Sequence, residues 1–169
     1  MGKIKNAHRE DSLRFRGLSR YKEVFMLDLV FLTDEFYRDY ANCPEIEKKP
    51  FRPHVCVAFL VDGHLCCVPF RSHISHEYAI FTDRDKRCGL DFSKTVVITD
   101  SERYINQEKR AFLRQNEYEV FKKLTPNDVK TAMTRYLKQY KRAKKAPQVP
   151  RNREFLKYSC IKYFEEYFF

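Results

Sequence analysis

Four of the five histidines, His54, His64, His73 and His76, fall within one short stretch of the chain, beside Arg52, Arg71 and Ser72. Imidazole titrates near neutrality and serves as acid or base, and a guanidinium fork matches a phosphate whose negative charge grows in a transition state. Cleavage of RNA without a metal needs just such groups. One must deprotonate the ribose 2′-hydroxyl, one must protonate the leaving 5′-oxygen, and fixed positive charge must sit on the phosphate. A blander reading of the same residues has His64 capping a turn, His54 satisfying backbone groups, and both arginines solvated.

The elements that must position these side chains are readable. Residues 55–61 and 64–69 are strand-like runs separated by Asp62-Gly63, the signature of a two-residue type I′ hairpin. With that turn Val61 faces His64. Continuing outward places His54 opposite Arg71 and Arg52 opposite His73, on one face. Upstream, residues 23–32 read as a buried strand, and Thr33 caps a helix whose apolar face is Phe36, Tyr37 and Tyr40. Residues 42–53 read as a loop. Further strands are expected at 78–81 and 95–98, with residues 82–94 as a loop between them.

Beyond residue 101 the pattern turns helical, with Ile105, Phe112, Leu113, Val120, Phe121 and Leu124 along one face. Thr125 and Pro126 open another helix that carries Val129, Met133, Leu137 and Tyr140 inward, its outer face basic. Residues 155–167 read as a last amphipathic helix. Residues 1–22 hold seven Lys or Arg and little apolar periodicity, the pattern of a basic arm preceding one domain over 23–169.

The composition narrows the classes. Thirty-three Lys plus Arg against twenty-three Asp plus Glu give a net charge of +10, which favours a polyanionic partner through release of counterions from a phosphate backbone. Six cysteines without framework spacing, several inside apolar runs, point to a reduced, cytoplasmic setting. No apolar run is long enough to span a bilayer, and the start lacks the apolar core of a signal peptide, so no membrane partner is expected. Cys56, Cys66 and Cys67 match no zinc-ligand spacing, because neighbours on a strand point to opposite faces. Phosphate-cradling and nucleophile-elbow glycine motifs are lacking.

The order Arg52-Pro53, a hydrophobic strand, Gly63-His64, Val68-Pro69-Phe70-Arg71-Ser72-His73, then Gly89-Leu90-Asp91-Phe92-Ser93-Lys94 resembles the toxins of type III toxin-antitoxin systems. The likeness is greatest to the TenpN branch, more distant to ToxN and the phage-abortive AbiQ proteins, and covers roughly residues 24–165. It implies an α+β fold, a compact twisted antiparallel sheet or small barrel with flanking helices, similar to the MazF and Kid toxins. It also implies metal-independent endoribonuclease cleavage at adenine-rich sites that leaves a 2′,3′-cyclic phosphate. The implied inhibitor is a repeated RNA pseudoknot that the toxin itself processes and that occupies its basic groove in a closed toxin-RNA assembly.

Carried over residue by residue, the family serine falls on Ser72 and the catalytic lysine before the first hairpin strand falls on Arg52. Arginine hardly deprotonates, so Arg52 suits charge stabilisation and not general base chemistry. The second lysine of ToxN falls on Ile74, which passes proton transfer to His73 or His76. The tyrosine of the first helix aligns with Phe36, Tyr37 or Tyr40, and Lys94 either holds the RNA backbone or ends a loop.

The resulting expectation is a sequence-preferring endoribonuclease acting on cellular or phage transcripts without metal or cofactor. Ser72 and Arg52 position and stabilise the phosphate, Arg71 assists, and His73 or His76 moves protons. Lys49, His54, Lys94, Lys138, Lys141, Arg142, Lys144 and Lys145 form the RNA-binding surface. The rival is a non-catalytic RNA-binding module. A DNA-binding regulator fits less well, because the C-terminal helices carry no helix-turn-helix signature.

Overall fold

The structure, a computed structural model, describes residues 27–46 and 54–169. The basic arm expected at 1–22, the start of the first strand, and the site candidates Lys49 and Arg52 lie outside the described residues.

The hairpin forms as its sequence dictates. Strands β2 (Cys56–Val61) and β3 (His64–Arg71) pair from Val61↔His64 out to Cys56↔Pro69. Asp62 and Gly63 take φ of 50° and 83°, the two positive values that a type I′ turn requires. Strand β1 (Asp28–Val30) adds to β2, and Thr33 caps helix α1 (Asp34–Asp39), its hydroxyl accepting from the Phe36 amide at 3.2 Å.

Strand β3 is the pivot of the sheet. Its first half pairs with β6 (Val96–Val97), and its far end pairs with β5 (Cys88–Asp91), which in turn pairs with β4 (Ala79–Asp83). All pairings are antiparallel, in the order β1-β2-β3-β5-β4 with β6 also on β3. Among the described residues the end strands β1 and β4 are not joined, so the α+β fold contains an open sheet, and the small-barrel alternative is corrected. Helix α4 (Pro126–Lys145) packs against β2, β4 and the 3-10 turn Phe92–Lys94. Val129, Met133, Leu137 and Tyr140 are buried in one contiguous core, as their spacing requires.

Three expectations need correction. Residues 82–94 are not all loop, because they contain β5. That strand lacks alternation and carries Gly89, whose backbone lies so close to β4 that an added Cβ would sit 2.8 Å from the Phe81 Cα. The helix expected beyond 101 is two pieces, α2 (Ser101–Tyr104) and α3 (Gln115–Phe121). Ile105 leaves the helix to bridge Leu32 at the sheet edge, and Phe112 is 78% exposed. The last helix, α5 (Pro150–Tyr158), starts early and stops at Ser159, whose buried hydroxyl accepts from Tyr136 Oη at 2.7 Å and from the Ile161 amide; the 3-10 turns Cys160–Tyr163 and Glu165–Tyr167 follow.

Candidate active site

Register brings the basic residues together first. Arg71 ends β3 opposite Gly89, which has no side chain, so the guanidinium reaches across to Asp91 on the same face of β5. Arg71 Nη1 donates to Asp91 Oδ2 at 2.9 Å, and Asp91 is 1% exposed. The other carboxylate oxygen caps the 3-10 turn, accepting from the Ser93 amide at 3.0 Å and the Ser93 hydroxyl at 2.6 Å. His76 Nε2 approaches that same oxygen at 3.2 Å. Burial would raise the Asp91 pKa, but hydrogen bonds from His76 and Ser93 and the charge of Arg71 outweigh it and hold the carboxyl below the usual range.

Ser93, His76 and Asp91 resemble a nucleophilic triad in composition only. A triad places serine and carboxylate on opposite nitrogens of the imidazole. Here both lie at Nε2, with Ser93 Oγ at 3.1 Å, and Nδ1 accepts the Tyr78 amide at 3.2 Å. The Ser93 hydroxyl is spent on Asp91. The cluster is therefore a support under Arg71, and His76, with both nitrogens engaged inside the protein, is a poor proton carrier for a substrate.

His73 sits differently. It follows β3 at φ 58°, a left-handed conformation disfavoured for a residue with a Cβ, and its exposed ring meets Ser72 Oγ through Nδ1 at 3.2 Å. The loop holds it there. The buried Ile74 donates its amide to the Arg87 carbonyl, while the Arg87 guanidinium donates to the Ile74 and His76 carbonyls and to Glu77. Ser72 and His73 thus form an exposed pair that directly follows Arg71 in the chain, and neither lines the cleft that Arg71 lines.

Beyond the hairpin's open end lies a cleft lined by His54, Arg71, Lys94, Tyr37 and Glu45 over Cys56, Cys67 and Pro69. The predicted facing of His54 and Arg71 is met in this cleft. His54 Nδ1 donates to the Phe70 carbonyl at 3.1 Å, as in the blander reading of that residue, and Lys94 Nζ donates to the Tyr158 carbonyl at 3.1 Å. Of Phe36, Tyr37 and Tyr40, Tyr37 lines the cleft, and burial raises its hydroxyl well above the usual range. Glu45 is held by Lys162 at 2.7 Å and by the Tyr163 hydroxyl, so the C-terminal turn fixes that wall. Burial pushes the Cys56 thiol up to about 12, so it stays protonated and packs as a small hydrophobe.

The remaining cations divide. Lys138 and Arg142 line a groove beside α4, remote in lining from the cleft. Lys144 is held by Glu165 at 2.5 Å, Lys141 lies over the Phe169 ring at 5.7 Å, and Lys145 is exposed in the last turn of α4. Asp91, Ser93 and Arg87 take their importance from long-range contacts, which residue spacing does not reveal. No helix among the described residues is long and apolar enough to cross a membrane.

No family model, curated protein or solved structure matches this chain, so the likeness to the MazF and Kid fold has no structural counterpart among the comparisons.

Proposed function

We propose that this protein is a metal-independent endoribonuclease toxin of a type III toxin-antitoxin system, acting in the cytoplasm in phage defence. In this reading it is silenced by a repeated pseudoknot RNA that it processes and binds in a closed assembly. The observation that carries the proposal is the exposed Ser72–His73 hydrogen bond immediately after Arg71 in the chain, with the Arg71 guanidinium fixed by the buried Asp91.

The chemistry follows from those positions. The ribose 2′-oxygen attacks the adjacent phosphorus as its proton passes to a base, the bond from phosphorus to the 5′-oxygen breaks, and an acid returns a proton to the leaving oxygen. The products are a 2′,3′-cyclic phosphate and a 5′-hydroxyl. Arg71 carries the charge that grows on the non-bridging oxygens, and its fixed orientation avoids reorganisation during the reaction. Ser72 hydrogen-bonds the phosphate. His73, not the internally engaged His76, moves protons. Lys94, which lines the cleft with Arg71, adds positive charge for the RNA backbone.

A second reading, a non-catalytic RNA-binding module, is favoured by the basic groove along α4, which needs no chemistry. Incubation with an adenine-rich RNA in EDTA separates the two. Discrete cleavage to cyclic-phosphate ends, lost in Ser72→Ala and His73→Ala, supports the ribonuclease, whereas binding that leaves the RNA intact supports the module.

A further inference from the structure

Lys130, Lys138 and Arg142 recur at multiples of four along α4, so they stand in one row on its exposed side, about 18 Å from first to last. Arg135 stands beside that row. Among the described residues none of these four cations is in an ion pair, whereas Lys144 is held by Glu165 and Arg87 by Glu77. Like charges three and four residues apart, as in Arg135, Lys138 and Arg142, repel, so the row weakens its own helix.

The row borders a groove whose opposite side is Tyr78. The groove continues through Tyr78, Arg135 and Gln139 to Arg151 in the first turn of α5. Tyr78 is half-buried, and its ring is held by edge contacts to Tyr136 at 5.5 Å and Phe155 at 5.3 Å. A fixed aromatic ring inside a basic groove is what an unpaired strand uses, because phosphates meet the cations and a base stacks on the ring. A duplex keeps its bases stacked inside and its phosphates on a convex surface, and would leave Tyr78 unused.

We infer that the groove between α4 and Tyr78 binds a single-stranded RNA segment, with Lys130, Lys138 and Arg142 on its phosphates and Tyr78 and Gln139 facing its bases. This second site shares no lining residue with the cleft of Arg71 and Lys94. The inference rests on the reading that the protein acts on RNA, but it does not need cleavage.

The test uses the full chain and an adenine-rich RNA made uncleavable by 2′-O-methyl riboses, with affinity measured over a salt series. In Lys130→Gln/Lys138→Gln/Arg142→Gln the affinity falls at least tenfold, and the slope of log affinity against log salt flattens by about 2. A control of equal charge change, Lys109→Gln/Arg110→Gln/Lys123→Gln, loses less than half as much in log affinity. Duplex RNA of the same sequence fails to displace the single strand. Equal losses in both triple variants reduce the effect to net charge and overturn the site, as does full displacement by duplex. A protein that binds in this way but leaves cleavable RNA intact refutes the ribonuclease reading alone. A protein that cleaves RNA yet binds equally well in both triple variants refutes the groove alone.

Discussion

The Asp91 carboxylate meets the Arg71 guanidinium at 2.9 Å across the junction of β3 and β5, with Asp91 almost wholly out of water. Because the carboxylate also accepts from Ser93 and faces His76, it is fully hydrogen-bonded, the condition under which a buried charge is tolerated. The same carboxylate caps the turn that carries Lys94, so one side chain sets two cations of the cleft.

Replacing Asp91 by Asn removes the charge under Arg71 while keeping the side chain's shape. The expected cost is about 2 kcal/mol of stability, with a fall in kcat larger than any change in KM. The folded pKa of Asp91 lies below its unfolded value, so its stabilisation is complete above the ordinary Asp pKa of about 3.9 and is lost as pH falls through the lowered folded value. Thermal unfolding followed from pH 7 into acid therefore shows a steeper loss in the parent than in Asp91→Asn; parallel curves would remove Asp91 from this role.

On the proposed ribonuclease reading, function and stability pull in opposite directions at residue 73. Glycine adopts φ near 58° without the penalty that histidine bears, so His73→Gly is expected to unfold at the same temperature as the parent or above it, by up to about 1 kcal/mol. Cleavage falls by about a hundredfold or more. A variant that is equally stable and equally active would show that His73 moves no proton.

The two candidate histidines are separable by glutamine. His76→Gln keeps an N–H donor toward Asp91, so activity stays within several-fold of the parent and its pH dependence is unchanged. His73→Gln loses activity and alters the shape of the pH–rate profile. The reverse pattern would place the proton transfer at His76.

Gly89 permits the close approach of β5 to β4. Gly89→Ala drives a methyl group against the Ile80 carbonyl oxygen and is expected to cost about 2 kcal/mol or more. Because the strand carries Asp91, cleavage weakens with it. Hydrogen exchange should report faster opening at Ile80 and Leu90, which pair across that junction, and unchanged protection there would count against the packing argument.

The hairpin, its register and the facing of His54 and Arg71 were legible in the residues, since Asp62-Gly63 admits few turns and a strand's period of two fixes each later face. The cap at Thr33, and Thr125 opening α4 over an inward row of apolar residues, were legible for the same local reason. Ser72, His73 and Arg71 stood out by type and clustering, and Ser72 also through the family resemblance.

What the sequence by itself determined was local: an α+β chain with one strong hairpin, a capped basic helix, and a cluster of groups able to handle a phosphate. Tertiary structure decided the rest. It made β5 a strand through contact with β3 and β4, and it broke the helix after Tyr104 by drawing Ile105 to Leu32. It tied His76 into the support under Arg71, left His73 exposed beside Ser72, and split the α4 cations between a groove and the C-terminal turn. The reason is physical. Hydrogen bonds and burial between residues far apart in the chain depend on which backbones meet, and no window of residue spacing contains that information.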